Sequence, residues 1–117
     1  LSSGYSFVSY PLRVVIRLYP REEKDFPARI AVSVSKRRFK RAVKRNRVKR
    51  LIRETYRLNK NILYSYIPED KTMDILFIYL HDEIFEYGKI EKAITGAIKK
   101  IRSYIEKDSG GDIADTY

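Results

Sequence analysis

Thirteen basic side chains fall between residues 36 and 60 of this 117-residue chain, against a single acid, Glu54. They are Lys36, Arg37, Arg38, Lys40, Arg41, Lys44, Arg45, Arg47, Lys49, Arg50, Arg53, Arg57 and Lys60. The whole chain carries 25 basic and 15 acidic residues, a formal charge of +10, so this segment holds all of the excess. Like charges crowded in this way repel one another, and a polyanion offsets that cost. The seven arginines from residue 37 to residue 53 suit phosphate, because a guanidinium fork can grip it bidentately. Ten tyrosines and five phenylalanines add rings on which bases can stack. Phe7, Tyr10, Tyr19 and Phe39 are the rings expected to be exposed.

Other chemistries have less to work with. There is no cysteine, which removes disulfides, thiolate metal sites and cysteine nucleophiles, and a lone His81 removes multi-histidine metal sites. A standalone metal-dependent nuclease needs converging carboxylates. Its candidates are Asp82, Glu83 and Glu86, with Asp74 at the far end of the preceding strand. The same acids also suit a solvated turn at the start of the last helix, whose dipole favours them. His81 has no evident orienting partner for general-base work. No catalytic residue and no metal ligand is therefore assigned to this chain, and no tightly bound cofactor is expected. No run approaches 18 apolar residues and no signal peptide is visible, so no membrane partner is expected.

The elements that must position the basic residues follow from periodicity. Residues 1–9 read as a loop. Residues 12–19 alternate as a half-buried strand, with Leu12, Val14, Ile16 and Leu18 on one side and Arg13, Val15, Arg17 and Tyr19 on the other. The polar run from Pro20 to Pro27 reads as a hairpin-type connection. A second strand spans 29–35, with Ile30, Val32 and Val34 opposite the small residues Ala31, Ser33 and Ser35. Small residues let a ligand backbone approach, although the same row also suits plain solvent exposure or a covering helix. Residues 42–58 predict an amphipathic helix, with Val48, Leu51, Ile52, Thr55 and Leu58 inward. Asn46, Lys49, Arg50, Arg53 and Arg57 fall within a sector of about 100° on the other side, flanked by Arg45 and Arg47.

A loop is expected at 59–72, with Pro68 as its breaker. The apolar run 73–80 predicts a central strand covered on both faces. Residues 86–107 predict a second helix with an isoleucine-rich stripe, in which Gly96 is a helix-weakening residue that suggests close packing. The tail 108–117 reads as disordered. The expected architecture is α+β, a small sandwich of ββαβα order with a mixed sheet packed against helices in one RNA-binding domain, residues 1–107.

The basic helix faces a sheet-sized apolar side rather than the bulky side of a membrane-surface helix, and it lacks a helix-turn-helix setting for duplex DNA. RNA is the favoured partner.

Residues 33–54, SVSKRRFKRAVKRNRVKRLIRE, resemble the bacterial ribonuclease P protein subunit. Ser35, Lys36, Arg37, Ala42, Val43, Arg45, Asn46, Arg47, Lys49, Arg50, Arg53 and Glu54 match that family's signature position by position, and a weaker likeness extends from about residue 5 to residue 105. The resemblance implies an accessory subunit of an endoribonuclease that removes the 5′ leader of precursor tRNA in the cytoplasm. Its catalytic groups and Mg²⁺ ions belong to the RNA subunit. It further implies that Lys36, Arg37, Arg45, Asn46, Arg47, Lys49, Arg50, Arg53 and Arg57 bind the catalytic RNA.

By the same resemblance, Arg13, Val15, Arg17, Tyr19, Ala31, Ser33 and Phe39 face the leader, in a cleft between the sheet and an N-terminal helix. The sequence begins, at Leu1, where that helix should be ending. A left-handed crossover around the basic helix is also implied, against the usual right-handed rule. No obligate protein partner is implied. The sequence departs from the family in residues 36–41, where Arg38, Phe39, Lys40 and Arg41 form a longer link without the usual glycine, and Phe39 reads there either as a core plug or as an RNA contact. The alternatives are a ribosomal or ribosome-assembly protein of similar fold and the standalone nuclease.

Overall fold

The computed structural model describes residues 4–115, with side-chain surroundings through residue 107. In chain order the elements are β1 (Gly4–Ser9), β2 (Leu12–Pro20), β3 (Ala28–Ser33), α1 (Ala42–Tyr66), β4 (Lys71–Tyr79) and α2 (Tyr87–Asp115). The order is βββαβα, one strand more than expected. The four strands form one mixed sheet in the order β1-β2-β4-β3. β1 and β4 each pair antiparallel with β2, and β3 pairs parallel with β4. The α+β expectation holds.

Several boundaries differ from the sequence reading. Residues 4–9 are a strand, not a loop, because Tyr5, Phe7 and Ser9 alternate towards α2: Tyr5 stacks on Tyr104 at 4.7 Å and Ser9 Oγ donates to Ala93 O at 2.7 Å. The 21–27 connection is not a hairpin, since β4 lies between β2 and β3. α1 runs on to Tyr66 rather than ending near residue 58. No proline interrupts it before Pro68, Leu63 extends its buried stripe, and Asn59 Nδ2 donates back to Thr55 O at 2.8 Å. The segment from residue 108, read as a tail, lies largely within the bounds of α2; residues 116 and 117 are outside the described residues.

Strand parity divides the sheet into two faces, because paired residues point to the same side. Leu12, Val14 and Ile16 of β2 lie opposite Tyr79, Phe77 and Ile75 of β4, and Val32 of β3 shares that side; all are buried. α1 covers this face, with Tyr56 against Phe77 at 6.1 Å between ring centroids. α2 adds Ile90, Ile94, Ala97, Ile98 and Ile101. Each fully buried aliphatic side chain contributes about 1.5–3 kcal/mol relative to exposure. The opposite face has no helix over it among the described residues. Leu76 and Ile78 of β4 lie there half-exposed, so β4 is covered on one face and not on both.

Within α1 the inward stripe is Val48, Ile52, Thr55, Tyr56 and Leu63. Leu51 is half-buried, and Leu58, expected inward, is 60% exposed. At 100° per residue Leu58 sits about 110° from the centre of the buried stripe, a place Tyr56 takes instead. Among the described residues, no helix is long and apolar enough to cross a membrane.

Gly96 lies on the side of α2 that packs against β1. A Cβ added there would lie 3.0 Å from Ser9 Oγ, the group that donates to Ala93 O. Gly96→Ala is therefore expected to lose stability despite an intrinsic helix gain of about 1 kcal/mol. In a Ser9→Ala background the same change is expected to stabilise, which a double-mutant cycle by urea denaturation measures.

Candidate nucleic-acid interface

The entrance to α1 folds around Ser35. Its Oγ accepts from Arg37 N at 2.9 Å, and its carbonyl accepts from Arg38 N and Phe39 N at 3.2 and 3.1 Å. This turn needs no glycine; none of the described residues other than glycine has a positive φ. Phe39 points into the core, 5% exposed, with its ring 6.0 Å from that of Tyr79. That corrects its assignment to the leader: an apolar ring between two basic flanks gains more from burial against β4 than from solvent. Arg38 leaves the basic surface as well, pairing with Asp82 at 2.9 Å.

Arg45 turns back along the helix. Its Nη1 donates to Phe39 O and Lys40 O at 2.8 and 2.9 Å, so it braces the turn that presents the other cations. Asn46, Lys49, Arg50, Arg53, Glu54 and Arg57 line one open stripe along α1. Arg57 is paired with Glu54, one turn away, and that pair raises the guanidinium's pKa. Arg47, Lys49, Arg50 and Arg53 have no carboxylate within ion-pair distance among the described residues, nor do Lys36 and Arg37. The first turn of α1 contains no acid, so the positive helix end adds to the same field. Arg47 and Arg50 also border a groove against Phe85 and Tyr87.

The uncovered sheet face collects the other predicted residues. Pairing places Arg17 (β2), Asp74 (β4) and Arg29 (β3) side by side across three strands, then Val15, Leu76 and Ala31, then Arg13, Ile78 and Ser33. Arg13, Arg17, Ala31 and Ser33 are exposed there, and Val15 and Tyr19 half-exposed. Val15, Arg17, Arg29, Ala31, Asp74 and Leu76 border a trough with a volume of about 400 Å³. Tyr19 OH donates to Asp74 Oδ1 at 2.9 Å. Burial raises the pKa of the Tyr19 phenol and this hydrogen bond adds to it, so the hydroxyl stays a donor at neutral pH.

Sequence reasoning missed Arg29, Leu76 and Ile78 and weighed Asp74 only as a nuclease acid. The parity of Arg29 with Ala31 and Ser33 was the available signal. The nuclease acids do not converge. Asp74 is tied to Arg17 and Arg29 near the start of β4, whereas Asp82 is tied to Arg38 beyond its end. His81, which showed no partner in the sequence, has two: Tyr10 OH at 2.9 Å from Nδ1 and the Phe85 ring at 4.2 Å.

The family model described as Ribonuclease P matches residues 2–102 of this chain. The chain belongs to the ribonuclease P protein family. A "Ribonuclease P protein component" from Porphyromonas gingivalis is 44% identical over 99 residues, which is 84% of this chain and 72% of that relative. One from Chlorobaculum tepidum is 43% identical over 70 residues, 60% of this chain and 43% of the relative. Among solved structures, the ribonuclease P protein of Thermotoga maritima superposes with a TM-score of 0.61 at 24% identity, covering 83% of each chain. That of Staphylococcus aureus gives 0.59 at 27% identity, covering 84% of this chain and 81% of the other. The mixed four-stranded sheet with two helices is thus the ribonuclease P protein fold. Membership associates the chain with tRNA processing, a ribonuclease holoenzyme and an RNA partner.

Proposed function

We propose that this chain is the protein subunit of ribonuclease P, which binds the catalytic RNA and helps that RNA hold the 5′ leader of precursor tRNA. The observation that carries the reading is the stripe of α1 cations that have no carboxylate partner among the described residues, together with a sheet face that no described helix covers and that carries Arg13, Arg17 and Arg29. Arg47, Lys49, Arg50 and Arg53 neutralise phosphates that the folded RNA brings close together, and Lys36 and Arg37 extend that surface at the helix entrance. Arg45 acts mainly by bracing the turn. Asn46, able to donate and accept, orders a backbone group or a water between the chains.

The leader lies on the sheet face, with Arg13, Arg17 and Arg29 meeting phosphates and Val15, Leu76 and Ala31 forming an apolar floor. Bond cleavage and Mg²⁺ belong to the RNA in this reading, in which Asp74, Asp82 and Glu54 serve as partners of arginines. A cytoplasmic location follows from this role.

Reconstitution tests the proposal. The protein is mixed with precursor tRNA, with and without the catalytic RNA, at low Mg²⁺. Leader removal is expected only with both present, and at a Mg²⁺ concentration where the RNA alone is slow. Cleavage by protein alone, abolished by Asp82→Asn, would establish the nuclease reading instead. Binding to ribosomal RNA with no effect on leader removal would establish the ribosomal one.

A further inference from the structure

A carboxylate in the middle of a surface meant for RNA repels the ligand, so Asp74 needs a reason to stand there. Its side chain is 36% exposed, level with Arg17 and Arg29 on the neighbouring strands. Asp74 Oδ1 accepts from Tyr19 OH at 2.9 Å and from Arg29 Nε at 3.1 Å, while Oδ2 faces Arg17 Nη2 at 3.4 Å. Arg29 Nη2 also donates to Tyr19 OH. The two guanidinium carbons lie 5.2 and 5.5 Å from the centroid of the Tyr19 ring. One carboxylate thus holds two arginines and a tyrosine in a single assembly across three strands.

We infer that Asp74 is a positioning residue of the leader-binding face, holding Arg17, Arg29 and Tyr19 in the geometry that meets the single-stranded leader. The inference rests on the proposed reading of that face. Free arginine side chains lose much rotamer freedom on gripping a phosphate. Here part of that ordering is already made before the RNA arrives. Arg29 engages Asp74 through Nε and Tyr19 through Nη2, which leaves Nη1 for a ligand, and Arg17 engages through Nη2 alone. The pair of cations outweighs the single anion, so the assembly stays net positive.

The opposing expectation is plain electrostatics: deleting a negative charge from an RNA-facing surface should tighten binding. Holoenzyme reconstituted with the catalytic RNA is titrated with precursor tRNA and with leaderless tRNA. Asp74→Ala is expected to weaken the leader-dependent part of the affinity about tenfold, the scale of two arginines that must be ordered on binding. Asp74→Asn, which retains an acceptor for Tyr19 and Arg29, falls between Ala and wild type. Affinity for leaderless tRNA, binding to the catalytic RNA and the melting temperature stay at wild-type values, which a merely structural role would not allow. Unchanged or tighter leader binding in Asp74→Ala, with Arg17→Ala and Arg29→Ala both weakened, overturns the positioning role and leaves the leader-face reading standing. No leader-specific loss in Arg17→Ala and Arg29→Ala overturns both.

Discussion

Replacing Arg47, Lys49, Arg50 and Arg53 together by alanine is expected to weaken binding to the catalytic RNA by about a thousandfold or more at low salt. Each charge-assisted contact contributes about 1 kcal/mol, less than a buried charged hydrogen bond because solvent screens it, and four together give that factor. These four side chains have no carboxylate partner among the described residues, so removing them breaks no internal ion pair, and thermal stability should hold or rise as like charges are relieved. The plot of log affinity against log salt should become shallower by about 3, because each lost phosphate contact removes roughly 0.7–0.9 from the slope. Titration across a salt series reads both numbers. A slope that matches wild type would mean that the RNA docks elsewhere. Arg57→Ala is the internal comparison: Arg57 is already paired with Glu54, and its loss should move the slope least.

Phe39→Ala is expected to have the largest effect on folding. The side chain is 5% exposed and packs against Tyr79 at the top of the sheet. Truncating a buried phenylalanine costs about 3–5 kcal/mol, a large part of what a domain this size has. With an m-value of about 2 kcal/mol/M, the urea midpoint should fall by roughly 1.5–2.5 M. The loss should extend to RNA binding only through unfolding, since Arg45 anchors on the carbonyls of Phe39 and Lys40 and the turn carries Lys36 and Arg37. A variant of normal stability with a specific defect in leader affinity would return Phe39 to the interface. Phe39→Leu should recover most of the stability.

Much of the candidate interface was open to reading from the chain alone. The sector of α1 that holds Asn46, Lys49, Arg50, Arg53 and Arg57 depends only on a 100° step per residue, and that geometry is local. Likewise, the side of β2 that carries Arg13, Val15, Arg17 and Tyr19 follows from a two-residue period, as does the side of β3 that carries Ala31 and Ser33. Charge segregation depends on nothing but order along the chain. The family signature at residues 33–54 added a role to that pattern.

The remainder depended on partners far away in sequence. Phe39, among basic neighbours, suited either a core plug or an RNA contact, and its packing against Tyr79, forty residues on, decides for the core. Residues 4–9 looked irregular because their alternation is weakly apolar; β2 and α2 supply the hydrogen bonds and the stacking surface that make them a strand. Asp74 sat inside an apolar run, where its parity was visible but its two arginines were not. Side-chain periodicity is a property of one element and can be read from one element. That Arg17 and Arg29 of two different strands are spent on one carboxylate is a property of how elements meet, and β4 lying between β2 and β3 settles it.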